Sequence, residues 1–392
     1  MIGSLLIHNA RIMTPNGLFD YGWVYCEGRR IALSGVGAAP ELEGTLRLDA
    51  GGLILLPGFI DVHVHGAVGH DTMDASPDGL RCMAQFYARH GVTGFLATTW
   101  ADTRERIQAA LETVAAARGP QADGATILGV HLEGPYLNPA KCGAQKVECI
   151  RRADPIETQA FFEPGVIRLL SLAPEYEENR RLIAECVRHG VTASAAHTGA
   201  TYEDLVEAAR LGLTHATHTF NAMTGFNHRE PGAAGAVMTL PQIRCELIAD
   251  GVHVHPAAMR VLSRVKGADG VVLVTDAVRC AGLPDGEYML DARSVMVKDG
   301  AVRLPDGTLA GSILTMDAAL RNYIEATGEP LERVWQACSW NAARAINLAD
   351  RKGSLEVGKD ADLALVDENI NVCLTVAEGR VVYCDKKRLA CS

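Results

Sequence analysis

The middle of the chain alternates between two patterns. Apolar, β-rich runs recur eight times, at 53–64, 93–99, 125–131, 167–173, 192–196, 216–220, 246–250 and 271–275. Helical periodicity fills the intervals, as at 78–90, 104–118, 177–189, 202–211 and 256–265. Strand followed by helix, repeated, demands parallel strands with helical crossovers. Eight such units over roughly 300 residues predict an α/β fold, a (β/α)8 TIM barrel. Two helices run into His90-Gly91 and His189-Gly190, where a left-handed glycine closes a helix.

The two ends share a pattern that the middle lacks. Short β runs at 5–13, 23–27 and 30–34 are matched by others at 361–367, 372–376 and 380–384, with Glu378-Gly379 as a hairpin turn. These predict a small β-sandwich domain built from residues 1–56 and 355–392. The barrel would then occupy 57–354, and the Gly-, Pro- and Asp-rich stretch at about 282–310 would be a β-hairpin insertion.

Composition narrows the function. Hydrophobic residues make up 48% and charged residues 21%, which excludes wholesale disorder. The apolar run from Leu53 to Ile60 is broken by Pro57 and Gly58, far short of the roughly 18 residues of a membrane span. A net charge of −10 disfavours nucleic acid and anionic membranes as partners. An anionic substrate would need a local cluster of cations. Residues 1–14 alternate like a strand, not like a signal peptide. The 11 cysteines contain no C-x-x-C pair and predict reduced thiols and a cytoplasmic protein.

Barrels of this kind place their active site at the C-terminal ends of the strands. Those ends carry His63 and His65, Glu133, His197, His218 and Asp276. Positions 63 and 65 share one side of a strand, so their imidazoles can hold one divalent ion. The bland alternative, two polar residues on an exposed face, conflicts with the apolar run before them. Glu133 leaves its strand into Gly134-Pro135 and is either a ligand or a turn acceptor. His131 has the same parity but lies deeper, as a hydrogen-bonded core histidine would. His197 follows a run of small residues that leaves room for a site. His215 and His218, three apart in a strand, would face opposite ways, and His218 is the one assigned inward. Asp276 is a turn residue or, facing a metal, a ligand and proton carrier. The loop His228-Arg229-Glu230-Pro231-Gly232 suits a phosphate or carboxylate, or else simply faces water. His253, Lys141 and Gln145 are further candidates for the substrate side.

Seven segments carry a resemblance. They are Pro57-Gly58-Phe59-Ile60-Asp61-Val62-His63-Val64-His65-Gly66, His131-Leu132-Glu133-Gly134-Pro135, Thr217-His218-Thr219-Phe220-Asn221-Ala222-Met223, the His228 loop, Ala249-Asp250-Gly251-Val252-His253, Leu273-Val274-Thr275-Asp276-Ala277 and Leu309-Ala310-Gly311-Ser312. The closing Gly358-Lys359-Asp360-Ala361-Asp362-Leu363 adds an eighth. Together they resemble the amidohydrolase superfamily and, within it, the N-acetylglucosamine-6-phosphate deacetylases.

That resemblance implies a reaction and its residues. Glu133, His197 and His218 would be the principal metal ligands, and Asp276 the general acid/base. Asn221, Ala222, Arg229 and His253 would hold a phosphorylated amino sugar, with Gln145 beside them. It implies a homodimer in which Arg229 reaches the partner's substrate. The metal would be divalent, zinc first, with iron, manganese or cobalt as alternatives. Some members carry Gln and Asn where this chain has His63 and His65, so one or two ions are implied, with Glu133 bridging if there are two. An activated water with its pKa lowered toward ~7 would attack the acetyl carbonyl. Val278, Lys146 and Ser339-Trp340-Asn341-Ala342 depart from the usual pattern. The competing readings are N-acetylgalactosamine 6-phosphate as substrate, another amide substrate, and a non-catalytic scaffold. Many other amidohydrolases use a lysine after the fourth strand, and Ala173-Pro174-Glu175 supplies none.

Overall fold

At Gly58 the chain passes from one sheet to another. In the computed structural model, which describes residues 3–389, the apolar run from Leu53 is two strands rather than one. Ile54–Pro57 pairs with Leu363–Val366 in a sheet made by the chain ends. Phe59–Val64 opens the barrel. The Gly58 N–H donates to the Asp362 carbonyl at 2.9 Å, and a Cβ at Gly58 would collide with Thr93, so glycine is needed at the crossing.

The barrel strands are β1 (Phe59–Val64), β2 (Val92–Thr98), β3 (Thr126–Glu133), β4 (Ile167–Leu172), β5 (Thr192–Ala195), β6 (His215–Ala216), β7 (Arg244–Ile248) and β8 (Val271–Val274). All pair in parallel and in chain order. Just past the strand ends, β8 closes on β1. The Asp276 N–H donates to the His63 carbonyl at 2.9 Å and the His65 N–H to the Ala277 carbonyl at 2.8 Å. Strands β1, β2 and β3 are buried along their whole length, as a parallel sheet covered by helices requires.

Several helices start as the sequence predicts. Thr103 caps Arg104–Ala117, and a Thr201–Asp204 capping box opens Tyr202–Leu211. Gly91 and Gly190 follow their helices at φ 79° and 67°. The structure adds helices at Pro155–Phe162, Gly232–Thr239 and Met316–Thr327. Gly232–Thr239 carries two glycines among its alanines, and its burial against the barrel compensates for their weak propensity. The helix from Pro256 continues to Gly270, with a break at Gly267.

The chain ends share one eight-stranded sheet: Ser4–Thr14, Gly17–Glu27, Arg30–Val36, Leu46–Asp49, Ile54–Pro57, Leu363–Val366, Val372–Ala377 and Arg380–Cys384. It has its own apolar cluster, including Leu5, Ile7, Ile31, Leu55 and Leu374. Residues 1–2 and 390–392 of the expected end domain lie outside the described residues. Buried Lys352 ties this sheet to the barrel side, 3.0 Å from Asp360, 2.8 Å from Asp362 and 3.2 Å from Glu378. The 282–310 stretch and its flank form a four-stranded antiparallel sheet, Gly286–Leu290, Arg293–Lys298, Ala301–Arg303 and Leu309–Ser312, larger than a hairpin. Among the described residues no helix is long and apolar enough to cross a membrane. Among the described residues nine cysteines are free, but Cys384 is disulfide-bonded, which departs from the expectation of reduced thiols throughout.

Candidate active site

The strand ends bring their polar residues to one mouth. His65 Nε2 lies 3.3 Å from Glu133 Oε2 and 3.2 Å from Asp276 Oδ1. His63 Nε2 joins this group, 3.3 Å from His65 Nε2 and 3.4 Å from Asp276 Oδ1. On the other side of Glu133, Oε1 lies 3.2 Å from His197 Nε2 and 3.0 Å from His218 Nε2, and these two nitrogens are 3.1 Å apart. Glu133 thus gives one oxygen to each of two donor clusters.

Those separations test the fit of a metal. Donors about 2.0–2.1 Å from a tetrahedral ion stand about 3.3 Å from one another. Glu133, His197 and His218 match that spacing and form one metal-type trio, and His63, His65 and Glu133 form another, wider only between His63 Nε2 and Glu133 Oε2 at 3.8 Å. The tautomer agrees at His197, whose Nδ1 donates to the Lys141 carbonyl at 2.8 Å and leaves Nε2 with a lone pair. That lone pair faces a second imidazole nitrogen, His218 Nε2, and a carboxylate oxygen, a donor set that suits a cation between them.

The electrostatics point the same way. Burial alone would strip protons from His63 and His65, but surrounding carboxylates outweigh it. Asp276, Glu246 and Glu133 raise His63, and Asp276 and Glu133 raise His65 to about 9. Burial would likewise raise the Glu133 carboxyl, yet the charge of His63 and the close imidazoles of His197 and His218 hold it well below the usual range. A buried cluster this rich in carboxylate must hold positive charge, as protons or as metal.

Tight backbone turns present these groups. His197, His218 and Asp276 each follow a strand end with φ of 43°, 29° and 49°. Non-glycine residues in that region store strain that the surrounding structure must hold, and such residues cluster at functional sites. At His218 this corrects the sequence expectation. Strand β6 ends at Ala216, not Phe220, so the alternation rule does not carry from His215 to His218. Both turn inward, His215 Nε2 at 3.0 Å and the His218 N–H at 3.1 Å from Glu246.

A cavity of about 340 Å³ opens over the clusters. His65, Glu133, His197, His218 and Asp276 line it with Lys141, Gln145, Asn221, Ala222 and His253. Its single Lys or Arg is Lys141. His63 lies beneath, fully buried. Gln145 donates to Glu133 Oε2 at 2.6 Å and accepts from the Ala101 N–H at 2.7 Å, so its amide is tied to the donor cluster. His253 Nδ1 is 2.6 Å from Asp250 Oδ2. Arg229 is not in the lining, and its loop is exposed. His131 is a core histidine as expected, 2.7 Å from Ser171 Oγ.

Sequence reasoning missed two contributors. Glu246 stands alone in an apolar strand, a signal that was available. Trp100 stacks on His65 with ring centroids 3.9 Å apart, and nothing in its local sequence announces that. Leu309 and Gly311 bring the inserted sheet to the cavity wall.

Comparison with known proteins agrees with this geometry. The model of the Amidohydrolase family matches residues 54–382. The chain belongs to the amidohydrolase family. This amidohydrolase is 38% identical over 393 residues to the N-acetylglucosamine-6-phosphate deacetylase of Bacillus subtilis (strain 168), covering 99% of both chains. It is also 38% identical over 358 residues to the N-acetylgalactosamine-6-phosphate deacetylase of Escherichia coli O157:H7, covering 91% of this chain and 94% of the other. A solved structure of a mutant N-acetyl-D-glucosamine-6-phosphate deacetylase from Mycobacterium smegmatis, in complex with N-acetyl-D-glucosamine-6-phosphate, superposes with a TM-score of 0.90 at 31% identity, covering 97% of this chain and 99% of that one. In this amidohydrolase the position after β4 is Glu175. It braces loops, accepting from Asn138 Nδ2 at 2.8 Å, Thr198 Oγ1 at 2.5 Å and the Gly199 N–H at 2.7 Å.

Proposed function

We propose that this amidohydrolase removes the acetyl group from N-acetylglucosamine 6-phosphate, giving glucosamine 6-phosphate and acetate, in amino-sugar catabolism. The supporting observation is that Glu133 offers an oxygen to each of two metal-type clusters while Asp276 faces the same cavity. Glu133, His197 and His218 would hold one divalent ion, and His63 and His65 with Glu133 a second. Zinc is the first choice, and iron, manganese and cobalt suit the same donors. A divalent ion there supplies Lewis-acid activation of water and of the amide carbonyl.

The chain's own residues manage the proton and the substrate. Asp276 accepts a proton from the attacking water at a carboxylate oxygen. It then delivers that proton to the amide nitrogen as the C–N bond breaks, because an amine leaves only when protonated. Asn221, Ala222, His253 and Gln145 orient the sugar phosphate from the cavity wall. Arg229, exposed and outside the lining, would act on the phosphate bound by a partner subunit of a homodimer. The barrel at 57–354 is the catalytic domain, residues 1–56 and 355–392 a small β-sandwich domain, and the protein works in the cytoplasm.

A second reading, N-acetylgalactosamine 6-phosphate as substrate, is kept alive by the equal identity to the Escherichia coli relative. Acetate release from the two phosphorylated sugars and from unphosphorylated N-acetylglucosamine tests both. Preference for the gluco phosphate is expected. Preference for the galacto phosphate would change the substrate and keep the chemistry. No release from any of them would reject the deacetylase reading.

A further inference from the structure

Glu246 takes no part in the chemistry above, yet it is fully buried directly beneath it. Its Oε1 is 3.0 Å from His215 Nε2, and its Oε2 is 2.9 Å from His63 Nδ1 and 3.1 Å from the His218 N–H. Although Glu246 falls in a metal-type trio with His63 and His131, three donors already fill its oxygens, which makes it a poor ligand. An ionised carboxylate only accepts, so the His63 Nδ1 must carry hydrogen. In the neutral ring, Nε2 then bears the lone pair. That nitrogen is the one beside His65 Nε2 and Asp276 Oδ1.

We infer that Glu246 is the positioning residue that fixes the His63 tautomer and ring, and thereby decides whether the barrel mouth takes up a second divalent ion. The inference rests on the reading of His63 and His65 as ligands. In the other cluster Glu246 touches only the His218 backbone N–H and no imidazole nitrogen, and His197 takes its tautomer from the Lys141 carbonyl. Replacing Glu246 by glutamine leaves one acceptor and one donor facing three N–H groups, so at least one of them loses its acceptor and its histidine must turn or change tautomer.

Holoprotein is dialysed against graded zinc with a competing chelator, and ions per chain are counted by mass spectrometry. The wild type is expected to hold two. Folded Glu246→Gln should hold one with affinity within about threefold of the wild type, and bind the second roughly 10- to 100-fold more weakly. Three outcomes would overturn the inference: two ions at wild-type affinity in the variant, loss of both ions from a folded variant, or a single ion in the wild type. If Glu246→Gln does not fold, long-range ¹H–¹⁵N correlation of histidine-labelled wild type, assigned with His63→Gln, reads the tautomer directly. Hydrogen on His63 Nδ1 supports the inference, and hydrogen on Nε2 overturns it. Acetate release is scored separately. A fall from two ions to one without deacetylation would reject the substrate and keep Glu246, while deacetylation with unchanged ion counts would do the reverse.

Discussion

Asp276 Oδ1 stands 3.2 Å from His65 Nε2, on a backbone turned to φ 49° just past β8. That placement joins the proton carrier to the first of the donor clusters. Asp276→Asn should keep the fold and the ion at Glu133, His197 and His218, and lose about 10²- to 10⁴-fold in kcat. Acetate-release kinetics with metal counting check this. Near-normal turnover would remove Asp276 from the role.

Gly311 backs that same residue at φ 59°. A Cβ there would meet Val278 Cγ1 and lie 2.8 Å from the Asp276 carbonyl. Gly311→Ala should therefore displace Asp276 and lower kcat, by the roughly 10²-fold that a small misplacement costs, with metal content unchanged. A variant with wild-type kcat would show that the wall yields.

Arg229→Ala should raise the KM for the phosphorylated sugar about 10- to 100-fold and leave kcat close to normal, since hydrogen bonds to charged groups contribute about 1.5–3 kcal/mol. Because Arg229 lies outside its own cavity lining, mixing Arg229→Ala chains with Asp276→Asn chains should restore some tight-binding activity in mixed dimers. Unchanged KM would sink the phosphate assignment.

Chelation should abolish turnover and lower the Tm, because ligands that bind only the folded state stabilise it by about 2.7 kcal/mol at 100 times Kd. Differential scanning fluorimetry with and without added zinc, manganese or cobalt reads the shift. An unaltered Tm and activity after full chelation would favour metal-free chemistry.

Lys352 sits among Asp360, Asp362 and Glu378 with almost no exposure. Burial would lower its pKa, but Asp362, Glu378 and Asp360 raise it well above the usual lysine value. A raised lysine stabilises fully below its unfolded pKa and loses that only at strongly alkaline pH. Glu378 is opposite in sign: against burial, Lys352 and Arg29 lower its pKa, so its contribution is lost as pH falls below about 4.3. Lys352→Met removes the cation beside buried Asp362, while Asp360 and Glu378 keep arginine partners, and should cost about 3–5 kcal/mol. Burial already raises Asp362. Without the lysine its folded pKa rises further, so the variant should gain more stability than the wild type on mild acidification. Tm at pH 5 and pH 8 separates the two.

How much was legible in the sequence follows from the range of each interaction. Strand and helix patterns and the glycines at 91 and 190 depend on neighbours a few residues away. The repeated alternation then forces the barrel, and the barrel rule puts His63, His65, Glu133, His197, His218 and Asp276 at one end. Local pattern failed where a nonlocal contact overrode it. The run from Leu53 reads as one strand, but pairing with Leu363–Val366 on one side and β2 on the other divides it at Gly58. Alternation placed His215 and His218 on opposite faces, but the chain leaves the ladder after Ala216.

By itself the sequence determined which residue types stand at the strand ends, since side-chain parity and strand order are properties of the chain. Only the tertiary structure decided their partners. That Glu133 divides its oxygens between two clusters, that Trp100 stacks on His65, and that Glu246 reaches three groups on other strands depends on packing between segments up to 183 residues apart. No periodicity encodes such distances. They are set when the barrel closes and buried polar groups must each find a partner.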